Sequence, residues 1–590
     1  MDYLKNVIRR IRQGALREVW RETKSIYRYA KKYWGKIVLF ILLGLVSTAL
    51  GIYSGLVSKE LINMVTMGPA GGRRLREILP TGILFAGVAV GQIFLRAFSS
   101  RINAKVNLAV NRDIKGDVFH RFLLTNWESI SSYHSGDLLN RINSDAGTVA
   151  SSILGWIPTL ITSLVQFLAS LSIILHYDPA MALIVLITLP ITSVIFLFLA
   201  PKMRNLNRET AEASADLTAF YADSLQNIQS VKAFDLVDHF SENLDALQQK
   251  HVDASLRQNL FSVGSGVVMS LGSKLGSYIC LGWCVLRLWR RELDFGTMVL
   301  FIQLSSYLAS SASSLMNLGS SAISTTVAAK RIMTILDLPK EEVRPAPVVA
   351  AMCQDPAGVR LEMRNMDFSY QDHRGPVLRE VCFDAGPGEV VALVGPSGSG
   401  KTTMLRLLLG LLQPSEGTAV ALDGDGVRIP LGPNTRGIFA YVPQEKALFS
   451  GTVAETLRLA KPDATEEELW QVLELVYMDD VVKSMPNGLD SYIGQGGGRL
   501  SEGQGQRLSI ARALLRQAPV ILLDEATSAL DVATERRILR NIMQKCQNKT
   551  CVVTSHRPSV LSMCSRVYEI QDHTTHVMSP AEVEILRREF

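Results

Sequence analysis

Polar and apolar residues are sharply segregated along the chain. Five stretches, 37–58, 78–95, 146–177, 179–201 and 295–329, contain no Asp, Glu, Lys or Arg, and a sixth, 258–286, is broken only by Lys274. Each meets the ~20 apolar residues of a bilayer-spanning helix, the second only just. Pro158 and Pro190 are tolerable there as kinks, because neighbouring helices re-satisfy the freed backbone groups. The pattern therefore predicts six spanning helices. The connections after the second and fourth runs, 96–126 and 202–258, keep a helical pattern; about 25 residues out and 25 back would carry the spans about 35 Å beyond the bilayer. Further on, the apolar runs 390–394 and 520–523 read as buried strands and 404–412 as a helix.

Basic residues orient the spans. The even-numbered connections hold Arg96, Arg101, Lys105, Arg112, Lys115 and Arg121, then Lys202, Arg204, Arg208, Lys232, Lys250 and Arg257, outnumbering the odd-numbered ones. Positive charge marks the inner face, so both termini are expected in the cytosol of a multi-pass protein of a bacterial-type inner or plasma membrane. Residues 1–36 carry eleven Lys and Arg together with Trp20 and Trp34, which suits a basic helix on an anionic membrane face. A structureless basic tail is the alternative.

Composition adds limits. With 590 residues the chain should hold several domains, and 47% hydrophobic beside 20% charged residues fits a membrane part joined to a soluble part. The net charge of +6 is explained by membrane topology and calls for no nucleic acid. Seven Cys without a C-x-x-C pair imply no disulfide framework, and Cys280 and Cys284 lie inside an apolar span. No cleavable signal peptide is expected.

The clearest chemistry follows the 390–394 strand. Residues 395–402 read GPSGSGKT, and a G-x-x-x-x-G-K-[ST] loop between strand and helix points backbone N–H groups around a phosphate. Lys401 and Thr402 then stand where a β/γ-phosphate and Mg²⁺ would sit. The 520–523 run ends in Asp524 and Glu525, so one carboxylate can reach Mg²⁺ while its neighbour faces an attacking water. Ahead of it stands LSEGQ, Leu500, Ser501, Glu502, Gly503 and Gln504.

Here the sequence resembles the nucleotide-binding domain of an ATP-binding cassette (ABC) transporter, whose signature is LSGGQ ahead of the Walker B strand. The resemblance spans the chain. Residues 133–149 are similar to the G-[DE]-L-x-x-R-x-x-x-D loop of the exporter class, and 221–234 to its second loop, with Asp223 for Glu and Asn227 for Gly. It implies an α-helical membrane domain of six spanning helices with long cytosolic extensions, then an α/β P-loop ATPase domain with a helical signature subdomain. The expected boundaries are 1–36 for the basic helix, 37–329 for the membrane domain, 330–358 for a linker and 359–590 for the cassette.

Site residues follow from the resemblance. It implies that Tyr370 stacks on adenine, although ordinary strand packing also suits a Tyr there. Gly395, Pro396, Ser397, Gly398, Ser399, Gly400, Lys401, Thr402 and Thr403 would hold ATP; Thr402, Gln444 and Asp524 would approach Mg²⁺; Glu525 would activate water. His556, which alone would read as a surface residue, matches the histidine that contacts the γ-phosphate. Leu500 to Gln504 would complete the site of a second copy, and Ser528, Ala529, Leu530 and Asp531 would meet the opposite subunit. Glu502 and Gln495 depart from the family pattern, which touches coupling more than chemistry.

One cassette cannot close its own site, so a half-transporter working as a dimer is expected, with a homodimer favoured and a heterodimer open. The implied activity is ATP-driven export or leaflet flipping of an amphipathic cargo such as a lipid, peptide or drug. An ATP-gated channel or sensor on the same fold shares every motif. Lys274 near mid-membrane would cost about 2.5 to 3.5 kcal/mol, so it is expected to line the cavity and favour an anionic cargo. Snorkelling or pairing with a carboxylate are its alternatives.

Overall fold

The computed structural model describes residues 28–66, 75–133, 135–342, 347–370, 375–444, 448–545, 548–555 and 557–589. Most of the expected N-terminal basic helix lies outside them. The chain forms two compact units, one drawn from Met1–His120 and Ser135–Asp337, the other from Arg121–His134 and Leu338–Phe590.

The first unit is helical. Its chain segments contain α1 (Trp34–Thr66), α2 (Leu75–Leu123), and, beyond the short α3 (Trp127–Ser131), α4 (Ser135–Asn140), α5 (Ala146–Tyr177), α6 (Pro179–Gln226), α7 (Ile228–Ala233), α8 (Val237–Trp289) and α9 (Phe295–Leu336). The six long helices carry the six charge-poor runs. At 49, 48 and 53 residues, α2, α6 and α8 exceed the ~20 residues that cross a bilayer, as their helical connections require. Among the described residues, four segments are long and apolar enough to cross a membrane by composition: Trp34–Thr66, Ile78–Leu123, Gly136–Tyr177 and Phe295–Leu315. Large apolar side chains stand exposed on this unit, Phe94, Phe198 and Leu260 among them, a surface suited to lipid or a partner subunit.

Helices α6 and α8 run antiparallel. Their register is fixed by Gln258 donating to Asn207 at 2.8 Å and by Lys250 paired with Asp216 at 2.8 Å. At the opposite end of α6, Asp178 is buried and caps the helix, accepting from the amides of Ala180 and Met181 at 3.0 and 3.2 Å. Its second oxygen accepts from Trp283 Nε1 at 3.0 Å and Arg287 Nε at 3.2 Å, which ties α8 to the α5–α6 corner. Desolvation raises the Asp178 carboxyl, yet these donors and the Arg287 charge together hold it below the usual carboxylate range. Beneath lies a core of Ile174, Met181, Phe301, Leu304 and Leu308.

The loop sequence GDLLNRINSD contains a turn of π-helix, Arg141–Asp145. Asp145 is buried and binds Arg331 of α9 at 2.6 Å, while Arg141 reaches Asp137 and the Arg331 carbonyl. The Arg and both Asp of the motif thus serve one ion-pair network.

The second unit holds two sheets. A four-stranded antiparallel sheet has the order β2-β1-β4-β5, from β1 (Arg360–Phe368), β2 (Leu378–Ala385), β4 (Glu416–Leu422) and β5 (Arg428–Pro430). The other has the order β10-β9-β3-β8-β7-β6, where β3 (Val390–Val394), β6 (Phe439–Val442), β7 (Val520–Asp524), β8 (Thr550–Thr554) and β9 (Arg566–Gln571) are parallel neighbours and β10 (Thr574–Val577) closes the edge antiparallel to β9. β7 and β8 are buried along their whole length, which is why their sequences are apolar runs without alternation. The α-helices of this unit's described residues after the turn at 121–134 are α10 (Pro347–Gln354), α11 (Lys401–Leu408), α12 (Val453–Arg458), α13 (Glu466–Leu475), α14 (Asp479–Ser484), α15 (Glu502–Leu515), α16 (Val532–Lys545), α17 (Pro558–Leu561) and α18 (Pro580–Glu589). A core of Leu469, Leu473, Leu508 and Ala511 joins the α12–α15 helices to the β7 side of the parallel sheet.

This unit also takes in the turn after α2. Thr125 forms an antiparallel bridge with Lys340, the Glu341 amide donates to the Leu124 carbonyl at 2.7 Å, and Arg121 donates to the Leu338 carbonyl at 2.6 Å. Asn126 caps α3, and the Arg406 guanidinium lies 6.0 Å from the Trp127 ring centroid. Glu341 in turn makes a bidentate pair with Arg436, at 2.6 and 2.7 Å.

Candidate functional site

Of the residues expected to handle nucleotide, the 395–402 loop, Gln444, Asp524 and Glu525 follow or end β3, β6 and β7 at their carboxyl ends, the edge where parallel α/β sheets carry their ligands. The loop 395–400 leaves β3 and enters α11 through three glycines of positive φ: Gly395 at 145°, Gly398 at 83° and Gly400 at 106°. A side chain on Gly395 would lie 2.6 Å from the Ile570 carbonyl and 2.8 Å from Ser399 Oγ, so the loop keeps its shape only with glycine there. The Ser399 hydroxyl is buried without a partner among the described residues. An orphan hydroxyl in a glycine cradle at a helix start fits a phosphate.

Lys401 is 93% buried and folds back on the loop, its Nζ donating to the carbonyls of Gly395 at 2.8 Å and Pro396 at 3.0 Å. Desolvation lowers its ammonium pKa, against the pull of Glu525 and Asp524. A buried cation on carbonyls alone has weaker partners than phosphate oxygens would give it. Thr402 turns its hydroxyl toward Asp524 at 3.5 Å. Asp524 is itself buried and held by Thr554 Oγ1 at 2.9 Å and Tyr441 OH at 3.4 Å, while burial raises the Tyr441 phenol. A hydroxyl and a carboxylate are hard oxygen donors, and two of them beside a phosphate suit Mg²⁺, which takes the rest of its shell from water and phosphate.

Glu525 follows β7 in the left-handed region, φ 45°, a conformation costing about 1–3 kcal/mol for a residue with a side chain. Its amide donates to Thr554 Oγ1 at 2.8 Å, and its carboxylate accepts from Gln444 Nε2 at 2.8 Å. The kink turns this carboxylate away from the buried Asp524 and beside the exposed Gln444, where water can reach it. Tyr370 stands edge-on to Phe368 at 4.9 Å and touches Thr403 Oγ1 at 3.2 Å, so the aromatic joins the loop's first helical turn.

The LSEGQ stretch forms the start of α15. Ser501 is the N-cap, its hydroxyl accepting from the Gln504 amide at 3.2 Å while Gln504 Oε1 accepts from the Ser501 amide at 2.9 Å. Because Ser501 Oγ accepts here, its proton stays free for an anion. Glu502 is exposed on the first turn. Gly503 packs under Ser528–Asp531: a Cβ there would stand 3.0 Å from the Ala529 carbonyl.

Two residues of this neighbourhood were not singled out by motif. Gln506 is buried and binds Ser528 and Ala529, and Arg557 donates to the carbonyls of Leu530 at 2.7 Å and Ser528 at 2.5 Å while pairing with buried Glu535. Their only sequence signal is adjacency, two residues past the signature and one past His556. His556 lies outside the described residues, as does the side chain of Gln495. Lys274 is exposed in α8, remote in sequence from all of this, and among the described residues no carboxylate pairs with it.

With this geometry in place, comparison with known proteins is direct. Residues 37–312 match the family described as ABC transporter transmembrane region, and residues 378–528 match the family described as ABC transporter. An ATP-dependent lipid A-core flippase of Bordetella pertussis is 28% identical over 582 residues, covering 95% of this chain and 89% of that one. A multidrug resistance ABC transporter ATP-binding and permease protein of Lactococcus lactis is 24% identical, covering 93% and 90%. The structure of a bacterial Atm1-family ABC exporter with ATP bound superposes with a TM-score of 0.77 at 21% identity, covering 95% of this chain and 97% of that chain. A transmembrane region followed by a single nucleotide-binding ATPase domain, in a chain of exporter fold, is the layout of a half-transporter: the protein belongs to the ABC transporter family, as an ATPase coupled to export across a membrane.

Proposed function

We propose that two copies of this chain form an exporter that hydrolyses ATP to move an amphipathic cargo from the cytosolic side outward. The observation that carries the reading is the set Lys401, Thr402, Asp524, Glu525 and Gln444 on one sheet edge, in a chain whose other unit is long spanning helices. All members needed for a competent site are present in this one chain, which favours a homodimer. Both termini and the ATPase domain stand in the cytosol, where the basic connections lie.

In this reading ATP lies along 395–403 with adenine on Tyr370, and Lys401 leaves the Gly395 and Pro396 carbonyls for phosphate oxygens. Thr402 and Asp524 would hold Mg²⁺, with Gln444 approaching it, and the ion would supply charge neutralisation at the transferred phosphoryl group. Glu525, oriented by Gln444 and by its own bent backbone, takes the proton of the attacking water. His556 contacts the γ-phosphate. Leu500, Ser501, Glu502, Gly503 and Gln504 of one copy close on the P-loop of the other, with Ser501 Oγ–H and the helix N-terminus offered to the γ-phosphate. Ser528, Ala529, Leu530 and Asp531 carry the contact between copies.

The relatives named as a lipid A-core flippase and a multidrug resistance ABC transporter support an amphipathic cargo. Lys274 lines the path and favours an anionic group on it. The test is vectorial: in sealed inside-out vesicles, a fluorescent anionic amphiphile should accumulate with ATP, and Glu525→Gln should abolish it. ATP hydrolysis without accumulation of any member of an amphiphile panel would refute export by this route.

A further inference from the structure

Between α6 and α8 the first unit has an open groove of about 570 Å³ that the nucleotide chemistry does not use. Its floor and walls are apolar, with Leu206 buried at the base and Leu199, Leu260 and Phe261 around it. Two cations, Lys202 and Arg257, stand at its edge, and no acid lines it. Among the described residues neither cation is paired with a carboxylate. Gly264 opens the groove further, since a Cβ there would meet nothing within 4 Å, and the Ser265 hydroxyl is buried without a partner among the described residues.

The level of this groove along the helices is fixed by sequence and register. Lys202 is the first charge after the charge-free run 179–201, and Arg257 is the last before 258–286, so both mark the same membrane boundary. With Gln258 opposite Asn207, Arg257 falls opposite residue 208, about six residues beyond Lys202 and roughly 9 Å further from the hydrocarbon. That offset is of the order of the headgroup layer, about 5–8 Å deep on each side of a bilayer. Leu199, Leu260, Phe261 and Val268 continue from the cations toward the hydrocarbon. Basic side chains that merely snorkel need no cavity between them. Here they flank one whose far end is apolar.

We propose that this groove binds a membrane phospholipid with an anionic headgroup, the phosphate between Lys202 and Arg257 and an acyl chain along Leu260, Phe261 and Gly264. The positive-inside topology places it in the cytosolic leaflet. A second copy of the chain is the competing occupant of this face, and so is a neutral lipid. The site is independent of the export reading, because binding is measured without ATP.

The experiment uses the full-length protein in detergent, with phosphatidylglycerol and phosphatidylcholine of identical chains added and bound lipid counted by native mass spectrometry. The wild type should prefer phosphatidylglycerol. Lys202→Gln and Arg257→Gln should each weaken that preference about fivefold and the pair should erase it, at about one charge–headgroup interaction per side chain. Gly264→Phe, which fills the groove and keeps both charges, should weaken both lipids alike. Millimolar inorganic phosphate should not displace the lipid. Basal ATPase activity and melting temperature report folding of each variant. The proposal is overturned if folded Lys202→Gln/Arg257→Gln protein keeps the preference, if Gly264→Phe leaves binding unchanged, or if inorganic phosphate competes. Efficient disulfide trapping of Leu260→Cys between two copies would also overturn it, by assigning the face to the partner.

Discussion

Gln506 holds Ser528 in place: its Nε2 donates to the Ser528 hydroxyl at 2.9 Å, and its Oε1 accepts the Ala529 amide at 2.9 Å. The helix that starts at Ser501 and the 528–531 loop are therefore one piece, and both are proposed to face the opposite subunit. Gln506→Leu leaves a hydroxyl and an amide without their partner, at about 1–3 kcal/mol. We expect a lower melting temperature of the second unit and ATPase loss, with little change in single-chain nucleotide affinity at the P-loop. Full ATPase activity in Gln506→Leu would show that the loop is positioned without it.

Glu525→Gln keeps the shape of the side chain and its contact with Gln444 while removing the candidate base. Turnover should fall by about 10²–10⁴-fold with ATP binding retained. Lys401→Ala should instead weaken binding itself. ATP hydrolysis within a few-fold of wild type in purified Glu525→Gln protein would assign the base elsewhere.

The proposed action of Ser501 across the dimer makes a complementation test available. A mixed dimer of one Lys401→Ala chain and one Ser501→Ala chain damages one composite site twice and leaves the other whole. It should hydrolyse ATP faster than either homodimeric mutant. Equal inactivity of all three would count against independent sites.

How much of this could be read without coordinates depends on how local the cause is. The six long helices were legible because the absence of charge over 37–58 or 146–177 is a property of one stretch. The P-loop was legible because Gly395, Gly398 and Gly400 are needed by the local turn itself. What escaped depends on partners far away in sequence. Helix α3 has only Asn126 and Glu128 to announce it, and the π-turn at Arg141–Asp145 follows from Asp145 meeting Arg331 across the unit. The left-handed Glu525 carries no signal of its own, since its conformation answers to Thr554 on the neighbouring strand.

Asp178 gives a pH-dependent prediction. Its carboxyl is held below the ordinary value of 3.8, so the stabilisation it brings is complete above about pH 4 and is lost as pH falls through the folded-state value. Thermal unfolding of the purified protein from pH 7 down to 3 should show this loss. Asp178→Asn should lower stability by about 2–3 kcal/mol at pH 7, by leaving Arg287 without its buried partner, and should flatten the acid limb. An unchanged acid limb would place the titrating group elsewhere.

Lys274→Ala and Lys274→Glu test the cargo path. Both should reduce stimulation of ATPase by an anionic amphiphile, the charge reversal more strongly, while basal ATPase and dimer stability persist. Unchanged transport of an anionic cargo would remove Lys274 from the path. Loss of folding would favour a structural ion pair.

The bridge between Thr125 and Lys340 also sets a schedule for biosynthesis. Arg121 and its partner Leu338 are 217 residues apart, so at about 5–20 residues per second the first is made some 10–40 s before the second. During that interval the Trp127 turn has neither the 338–341 segment nor Arg406 to receive it. The ATPase unit therefore completes its fold around a segment supplied early by the membrane part, and a fragment beginning at residue 338 is missing one edge of its own domain.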